Sequence, residues 1–363
     1  MRNRISVKMI RNLIFFGLLI FLTFWFIFRK QNMKELFDTI RSANILYLFI
    51  AATIMLLYHL TEAYNLRCLL TSFGEKKISI LKALKFTFIG FFFSSITPAA
   101  TGGQPVEIYY MSKEDISAPK STMALLVVLF GFQLSTVSIG LLCGIFNPKL
   151  LSDGLIYLFL IGLCINIFAL SFLSLCIFSH NITKRMINIC VRVLKKLKVK
   201  NITKACEVLE GNIHKYAEVS IYIKSHIGEF IKGVLREFLQ IILYYSVPYF
   251  IYRALGYNSC NFFELFSMQA VLYMSVSGLP LPGAVGISEI VFLKIFRGAF
   301  SASTIGASML LSRGVTFYLY VIIALIVVIV NAIRMKDTKG EIDYQVKEIE
   351  KNDILFDNTL VNA

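Results

Sequence analysis

Two glutamates stand just after breaks in short, otherwise apolar segments that are expected at membrane depth. These are Glu107 and Glu289, and each follows a stretch rich in proline and glycine. An ionised side chain in such a setting is energetically costly, so its presence indicates function. The carboxylate could hold a cationic head group or carry a coupling proton. The alternative is a glutamate that caps the first turn of a helix and is stabilised by the helix dipole.

Glycines next to these glutamates suggest a second kind of chemistry. They let the backbone expose N–H groups at the start of a helix, and such an end binds phosphate. Because every glycerophospholipid contains a phosphodiester, the pattern fits a lipid head group. The alternative is a tight turn or close packing of helices. The glycines are Gly102, Gly103, Gly283 and Gly286.

Arg313 is the third charged candidate, in an apolar setting between Leu311 and Phe317. It could pair with Glu289 or Glu107, or bind a lipid phosphate through two parallel hydrogen bonds. The alternative is an arginine whose side chain extends to the membrane interface. Together with the two glutamates and the four glycines, Arg313 completes the predicted head-group site.

Other polar residues suggest structural roles. His59 and Glu62 share one helix face, and a hydrogen bond is favoured over a metal site. Arg236 and Glu237 open a helix and are interpreted as interfacial. We predict no catalytic residue, no metal site and no cofactor, and without a phosphate-binding loop nothing supports an ATP-driven pump. Three glutamines are expected to join helices: Gln133, Gln240 and Gln269.

The elements that must position these residues are apolar helices. The chain is 57% hydrophobic and 16% charged, whereas a soluble domain is about a quarter charged. No charge occurs in 155–178 or 316–332, and about 20 such residues cross a bilayer. The sequence therefore predicts an all-α polytopic membrane protein. The net charge of +15 is assigned to cytoplasmic loops rather than to nucleic-acid binding.

Two of the apolar segments differ from the rest, because they are short and end in proline and glycine. These are 83–97 and 262–279, and both are predicted to form re-entrant hairpins, since broken backbone needs protein or water around it at membrane depth. Six segments are predicted to span the membrane: 12–28, 44–66, 121–143, 154–178, 233–254 and 303–333.

The distribution of basic residues orients the chain. The N-terminus, the loop 180–232 and the tail 336–363 are all predicted to be cytoplasmic, which requires an even number of crossings between them. The first hairpin then enters from the cytoplasm and the second from outside. The basic loop is expected to form helices on the inner leaflet within a membrane domain of residues 1–335. The predicted location is the cell membrane.

The two broken segments also resemble each other. Aligning Pro98 with Pro280 places Glu107 on Glu289 without a gap. Similar segments half a chain apart that enter from opposite faces are typical of an inverted-topology repeat.

Three stretches resemble signature motifs of the lysylphosphatidylglycerol synthase transmembrane family. They are SSITPAATGGQPVEIYYMSK (94–113), SGLPLPGAVGISEIVFLKIF (277–296) and LLSRGVTFYLY (310–320). The resemblance covers about residues 10–335. The sequence departs from many relatives at Gln104, where an acidic residue is common, which weakens any charge-based role for that position.

The resemblance implies a flippase for an anionic or aminoacylated phospholipid similar to lysyl-phosphatidylglycerol. Bifunctional members add a soluble synthase domain, which is not expected in this chain. The alternatives are phosphatidylglycerol lysyltransferase activity, as the family name suggests, or a subunit that presents lipid to a separate synthase. On this chain alone an enzyme is not expected. The predicted partner is membrane phospholipid, with a separate lipid synthase and an oligomer left open.

Overall fold

The computed structural model describes residues 33–152, 154–178, 223, 227–279 and 281–334, and these residues contain helices and no β-strand. The predicted span 12–28, most of the loop 180–232 and the tail 336–363 lie outside them. The helices are α1 (Met33–Ser42), α2 (Ile45–Ser72), α3 (Ile80–Ser95), α4 (Gly103–Ser112), α5 (Ala118–Phe146), α6 (Leu155–Phe178), α7 (Ile227–Ala254), α8 (Phe262–Val276), α9 (Ile287–Ile295) and α10 (Ile305–Arg334).

Four of these helices, α2, α5, α6 and α10, are long and apolar enough to cross a membrane. Their outer surfaces carry exposed apolar side chains such as Phe146 and Phe168, 78% and 73% exposed, which suit a hydrocarbon environment. The predicted all-α polytopic class is therefore confirmed. Helix α7 has 28 residues, enough length to span, but it is more polar, and its crossing stays a prediction.

Helices α2 and α7 are antiparallel and define the two ends of the bundle. The backbone N–H of Asn44 donates to the carbonyl of Ala254 at 2.8 Å, which joins the start of α2 to the end of α7. Near the opposite ends, the Asn65 amide donates to the carbonyl of Gly233 at 3.0 Å. The two ends are called here the Asn44 end and the Ser72 end.

The first broken segment is a helical hairpin that opens at the Ser72 end. Helix α3, a turn at Pro98–Ala100 and α4 bring the chain back to its starting level. Glu114, just after α4, accepts from Lys82 at 2.6 Å and from Lys85 in the first turns of α3. Burial opposes ionisation of Glu114, but the two ammonium groups outweigh it and lower its pKa.

The second broken segment is a hairpin of α8, a turn at Pro282–Ala284 and α9. The segments before α8 and after α9 meet at the Asn44 end of the bundle, where the Tyr257 hydroxyl is 2.6 Å from the Thr304 hydroxyl. At its tip Gly286 adopts φ 93° and ψ −58°, a conformation that strongly favours glycine. The tips of the two hairpins contact each other. The predicted pair of broken hairpins entering from opposite ends is therefore found.

Helix α1 was not predicted. It is a short amphipathic helix that packs on the start of α10 and buries Leu36. Because this helix has no long apolar run, its sequence does not have the pattern of a membrane span.

Candidate functional site

A cavity of about 340 Å³ lies beside the meeting point of the two hairpin tips. Its wall includes parts of both hairpins and of the long helices around them. The polar and charged residues in this wall are Tyr58, Glu62, Ser94, Ser95, Gln104, Glu107, Glu237, Gln240, Tyr244, Gln269, Tyr273, Ser277, Ser288, Ser312, Arg313 and Thr316.

Arg313 forms an ion pair with Glu289 on one side of the cavity. The guanidinium Nε donates to Glu289 Oε1 at 2.9 Å, and Nη2 donates to the carbonyl of Gly283 at 3.0 Å. The same guanidinium lies 4.4 Å from the ring centre of Phe317. Glu289 is completely buried and the Arg313 side chain is 13% exposed. Of the two partners that the sequence allowed for Arg313, the structure selects Glu289.

A wide helical turn explains how α10 presents two donors to one carboxylate. Residues Gly314–Tyr318 form a π turn directly after Arg313. Residues five apart in such a turn lie nearly above one another, whereas in an α-helix they point in different directions. The Tyr318 hydroxyl accordingly donates to Glu289 Oε1 at 3.2 Å, beside Arg313.

Glu289 also caps its own helix. Its Oε2 accepts from the N–H of Gly286 at 2.7 Å and from the hydroxyl of Ser288 at 2.8 Å. Glu289 thus pairs with Arg313 and caps its own helix, while a head-group or proton-carrying role for it stays a prediction.

The predicted glycines take different positions. Gly283 lines the cavity, whereas Gly102, Gly103 and Gly286 are not part of its wall. The Gly102 N–H donates to the Thr97 hydroxyl at 2.9 Å, so its donor, like that of Gly286, is already used. Gly103 permits close packing of α4 on α3, because a Cβ there would collide with the backbone of that helix. A phosphate-binding role for these glycines stays a prediction.

Glu107 faces the cavity from α4 and is 4% exposed. Its carboxylate packs against Gly90 of α3, where any side chain would collide with it. Among the described residues none donates a hydrogen bond to it. The structure thus keeps Glu107 apart from the pair of Arg313 and Glu289.

Two further carboxylates, missed as site residues in the sequence, reach the same cavity. Glu237 is completely buried rather than interfacial, and its Oε1 accepts from the Asn65 amide at 2.5 Å. Glu62 accepts from the Gln240 amide at 3.3 Å. A polar stripe on α7, formed by Glu237, Gln240 and Tyr244 at helical spacing, is the sequence signal that could have found this face.

The predicted hydrogen bond between His59 and Glu62 is wrong. Neither ring nitrogen of His59 has a partner among the described residues, and the ring packs among aromatic side chains, with Tyr320 4.6 Å away between centroids. Glu62 instead faces the cavity. Side chains three apart diverge by about 60° around a helix, which is enough to separate these two.

The predicted glutamine contacts are found in part. Gln133 of α5 donates to Asn166 of α6 and Gln240 of α7 donates to Glu62 of α2, so each joins two helices. Gln240 and Gln269 also line the cavity. In the described part of the chain no group of three or more His, Cys, Asp or Glu side chains could hold a metal ion.

Comparison with known proteins agrees with this architecture. Residues 12–324 match the family model described as the lysylphosphatidylglycerol synthase TM region. A UPF0104 membrane protein of Archaeoglobus fulgidus is 23% identical over 325 residues, which cover 87% of this chain and 96% of that protein. The chain therefore belongs to the family of the lysylphosphatidylglycerol synthase transmembrane region.

Proposed function

We propose that this protein moves phospholipid between the two leaflets of a membrane and that it acts on lipids whose head group carries an amine. The family description points to a membrane protein of lipid metabolism or transport. One observation carries the finer proposal: a charged cavity lies beside the contact between two hairpin tips that enter the bundle from opposite ends.

The cavity has the size and the chemistry for a head group. Small-molecule sites are typically about 300–1,000 Å³, and this cavity of about 340 Å³ falls at the lower limit. Arg313 has five N–H donors, of which Glu289 and the Gly283 carbonyl use two, so the others can bind a phosphodiester. Carboxylates elsewhere in the wall suit an ammonium group.

The charge balance favours an amine-bearing lipid over a purely anionic one. Glu62, Glu107 and Glu237 all line the cavity, while the charge of Arg313 is already balanced by Glu289. An anionic head group would bring a further negative charge into this setting, at a cost in free energy. An ethanolamine-like or aminoacyl head group would bring its own compensating charge.

The hairpins suggest how a head group would cross. Each reaches the middle of the bundle from one end, so the polar path is reduced to the region around the two tips. Rocking of one hairpin unit against the other would open the cavity first to one leaflet and then to the other. The acyl chains would remain in hydrocarbon.

The orientation is part of the proposal. The basic segment 179–226 joins the ends of α6 and α7, where Phe178 and Phe230 are 5.3 Å apart between ring centres at the Ser72 end. By the positive-inside rule this end faces the cytoplasm, so the first hairpin would open inwards and the second outwards.

Leaflet transfer in reconstituted vesicles tests the proposal. Vesicles with and without the protein receive acyl-labelled phosphatidylethanolamine, lysyl-phosphatidylglycerol or phosphatidylglycerol, and a membrane-impermeant quencher reports the label left outside. We expect the wild type to transfer the two amine-bearing lipids faster than protein-free vesicles do. Arg313→Lys should transfer them more slowly than the wild type, because lysine cannot form the bidentate hydrogen bonds of a guanidinium. Glu229→Gln, at an exposed ion pair with Lys232, is the matched control and should transfer normally.

Equal transfer with and without protein, for every lipid tested, would refute the proposal. Size-exclusion chromatography in detergent verifies that each variant is folded. Appearance of lysyl-phosphatidylglycerol in a host that lacks any synthase would instead favour the lysyltransferase.

A further inference from the structure

Three carboxylates from three different helices line the cavity, and none of them is hydrogen-bonded to Arg313 among the described residues. Glu62 comes from α2, Glu107 from α4 and Glu237 from α7, and all three line the wall. Glu62 interacts electrostatically with both of the others. Such a convergence in an apolar surrounding concentrates negative charge that the fold alone does not require.

The hydrogen bonds around these carboxylates leave acceptors without donors. Glu237 Oε2 and Gln240 Oε1 are buried and have no hydrogen-bond partner among the described residues, although both side chains line the cavity. Glu237 is 0% and Gln240 1% exposed. Because buried polar atoms are normally paired, two unpaired acceptors in side chains that line one cavity indicate a missing donor. An ammonium group or a carboxyl proton would supply it.

Basic groups of the fold do not supply enough positive charge. The Arg236 guanidinium donates to the side-chain oxygen Oδ1 of Asn65 at 3.3 Å and packs over Tyr64, and it acts on Glu237 only through space. Arg313 is engaged by Glu289. Of the three carboxylates only Glu237 is influenced by an arginine among the described residues, so charge neutrality at the cluster requires cations from outside.

Titratable and charged groups surround the cluster on several helices. Helices α3 and α5 contribute none to the cavity wall. The groups on the other elements are Tyr58, His59 and Glu62 of α2, Glu107 of α4, Arg236, Glu237 and Tyr244 of α7, Tyr273 of α8, Glu289 of α9 and Arg313 of α10. His59 packs among aromatic rings and does not line the cavity, so it is not part of the cluster.

We infer that Glu62, Glu107 and Glu237 form a cation-exchange site that holds protons when the cavity is empty and releases them when a lipid ammonium group binds. For each ammonium that enters, one carboxyl O–H bond breaks, its proton leaves to water, and the carboxylate pairs with the ammonium. Because the same site faces the two leaflets in turn, amine-bearing lipid moves in one direction as protons move in the other. The opposite movement of lipid and protons rests on the proposed transport function. The release of a proton when a lipid binds does not require transport.

Proton release on binding tests the exchange without transport. The intact protein in detergent, in weakly buffered solution at pH 7, is titrated with dihexanoyl phosphatidylethanolamine, and a pH dye reports the protons released while calorimetry reports binding. We expect about one proton per bound lipid for the wild type. Glu107→Gln, which removes a carboxyl without breaking any hydrogen bond among the described residues, should release fewer protons per bound lipid, because one of the three exchangeable protons is absent. Glu229→Gln should match the wild type.

A pH gradient across reconstituted vesicles tests the directional part. With one proton exchanged per lipid, a gradient of one pH unit should enrich the labelled amine-bearing lipid up to about tenfold in the leaflet that faces the acidic compartment. Collapse of the gradient with an ionophore should abolish the enrichment, and protein-free vesicles set the baseline.

The outcomes separate the two proposals. Binding without proton release, or transfer that ignores the gradient, would overturn the exchange and leave the transport function standing. Proton release without any leaflet transfer would support the exchange site and refute the transport function. Failure of the lipid to bind would overturn both.

Discussion

Replacement of Glu289 by glutamine removes the charge that balances Arg313 and keeps the shape of the side chain. In the wild type Oε1 accepts from Arg313 and Tyr318, and Oε2 accepts from Gly286 and Ser288. A glutamine amide has one oxygen and one NH₂ group, and the NH₂ group cannot accept. Whichever way the amide turns, two buried donors lose their acceptor.

The size of the effect follows from these contacts. A buried polar group left without a partner costs about 1–3 kcal/mol, and removal of one partner from a buried ion pair costs about 3–5 kcal/mol. These two estimates describe overlapping contributions and are not summed. We therefore expect Glu289→Gln to lower the free energy of unfolding by about 3–5 kcal/mol.

Reversible unfolding in mixed micelles with increasing sodium dodecyl sulfate measures this loss. The double variant Glu289→Gln with Arg313→Gln should lose less than the sum of the single variants, by about 1.5 kcal/mol or more, because neither charge is then left alone. Glu229→Gln, in the exposed pair with Lys232, should change the free energy of unfolding by no more than about 0.5 kcal/mol. A loss below about 1 kcal/mol for Glu289→Gln, or strict additivity in the double variant, would refute a coupled buried pair.

Three other substitutions test the packing and electrostatics. Gly162→Ala should lower the free energy of unfolding by about 1–3 kcal/mol, since its Cβ would collide with the backbone carbonyl of Met274, whereas Gly228→Ala, with open space around it, should not. His59→Phe should leave stability unchanged or raise it, because it removes two buried nitrogens without partners; a marked loss in the same unfolding assay would indicate a hidden hydrogen bond. The lowered pKa of Glu114 means that its ionised form contributes stability above the ordinary carboxyl range, and this contribution disappears as the pH falls through the lowered value. Glu114→Gln should therefore flatten the decline in thermal unfolding temperature between about pH 5 and pH 3, and an unchanged decline would contradict the assignment.

The hairpins and the pair of Arg313 and Glu289 could be predicted because each depends on a local signal. Proline and glycine stop a helix wherever they occur, so the breaks near Pro98 and Gly283 are visible in the sequence. A lone arginine in an apolar helix needs a partner, which limits the choice to the few acidic residues in similar surroundings.

Glu237 and His59 show what local signals do not contain. The burial of Glu237 depends on α2 lying antiparallel to α7, which brings Asn65 to it across a long sequence separation. The sequence places Glu237 beside Arg236 near a helix start, and that position is equally compatible with an interface. His59 turns away from Glu62 because Phe88 and Tyr320 form its cage, a contact that only tertiary packing creates.

The π turn in α10 also determines how the part of the helix after the turn is rotated relative to the part before it. After it, Ile322, Ile326, Ile329 and Ile333 form one exposed apolar stripe, while before it Arg313 points into the cavity. An α-helix turns by about 100° for each residue, and the π turn at Gly314–Tyr318 contains one residue more than an α-helical turn. This extra residue therefore determines which face of the part of α10 after Tyr318 is exposed to hydrocarbon. Deletion of one residue there would give a regular helix in which the arginine and the apolar stripe could no longer both face their own surroundings.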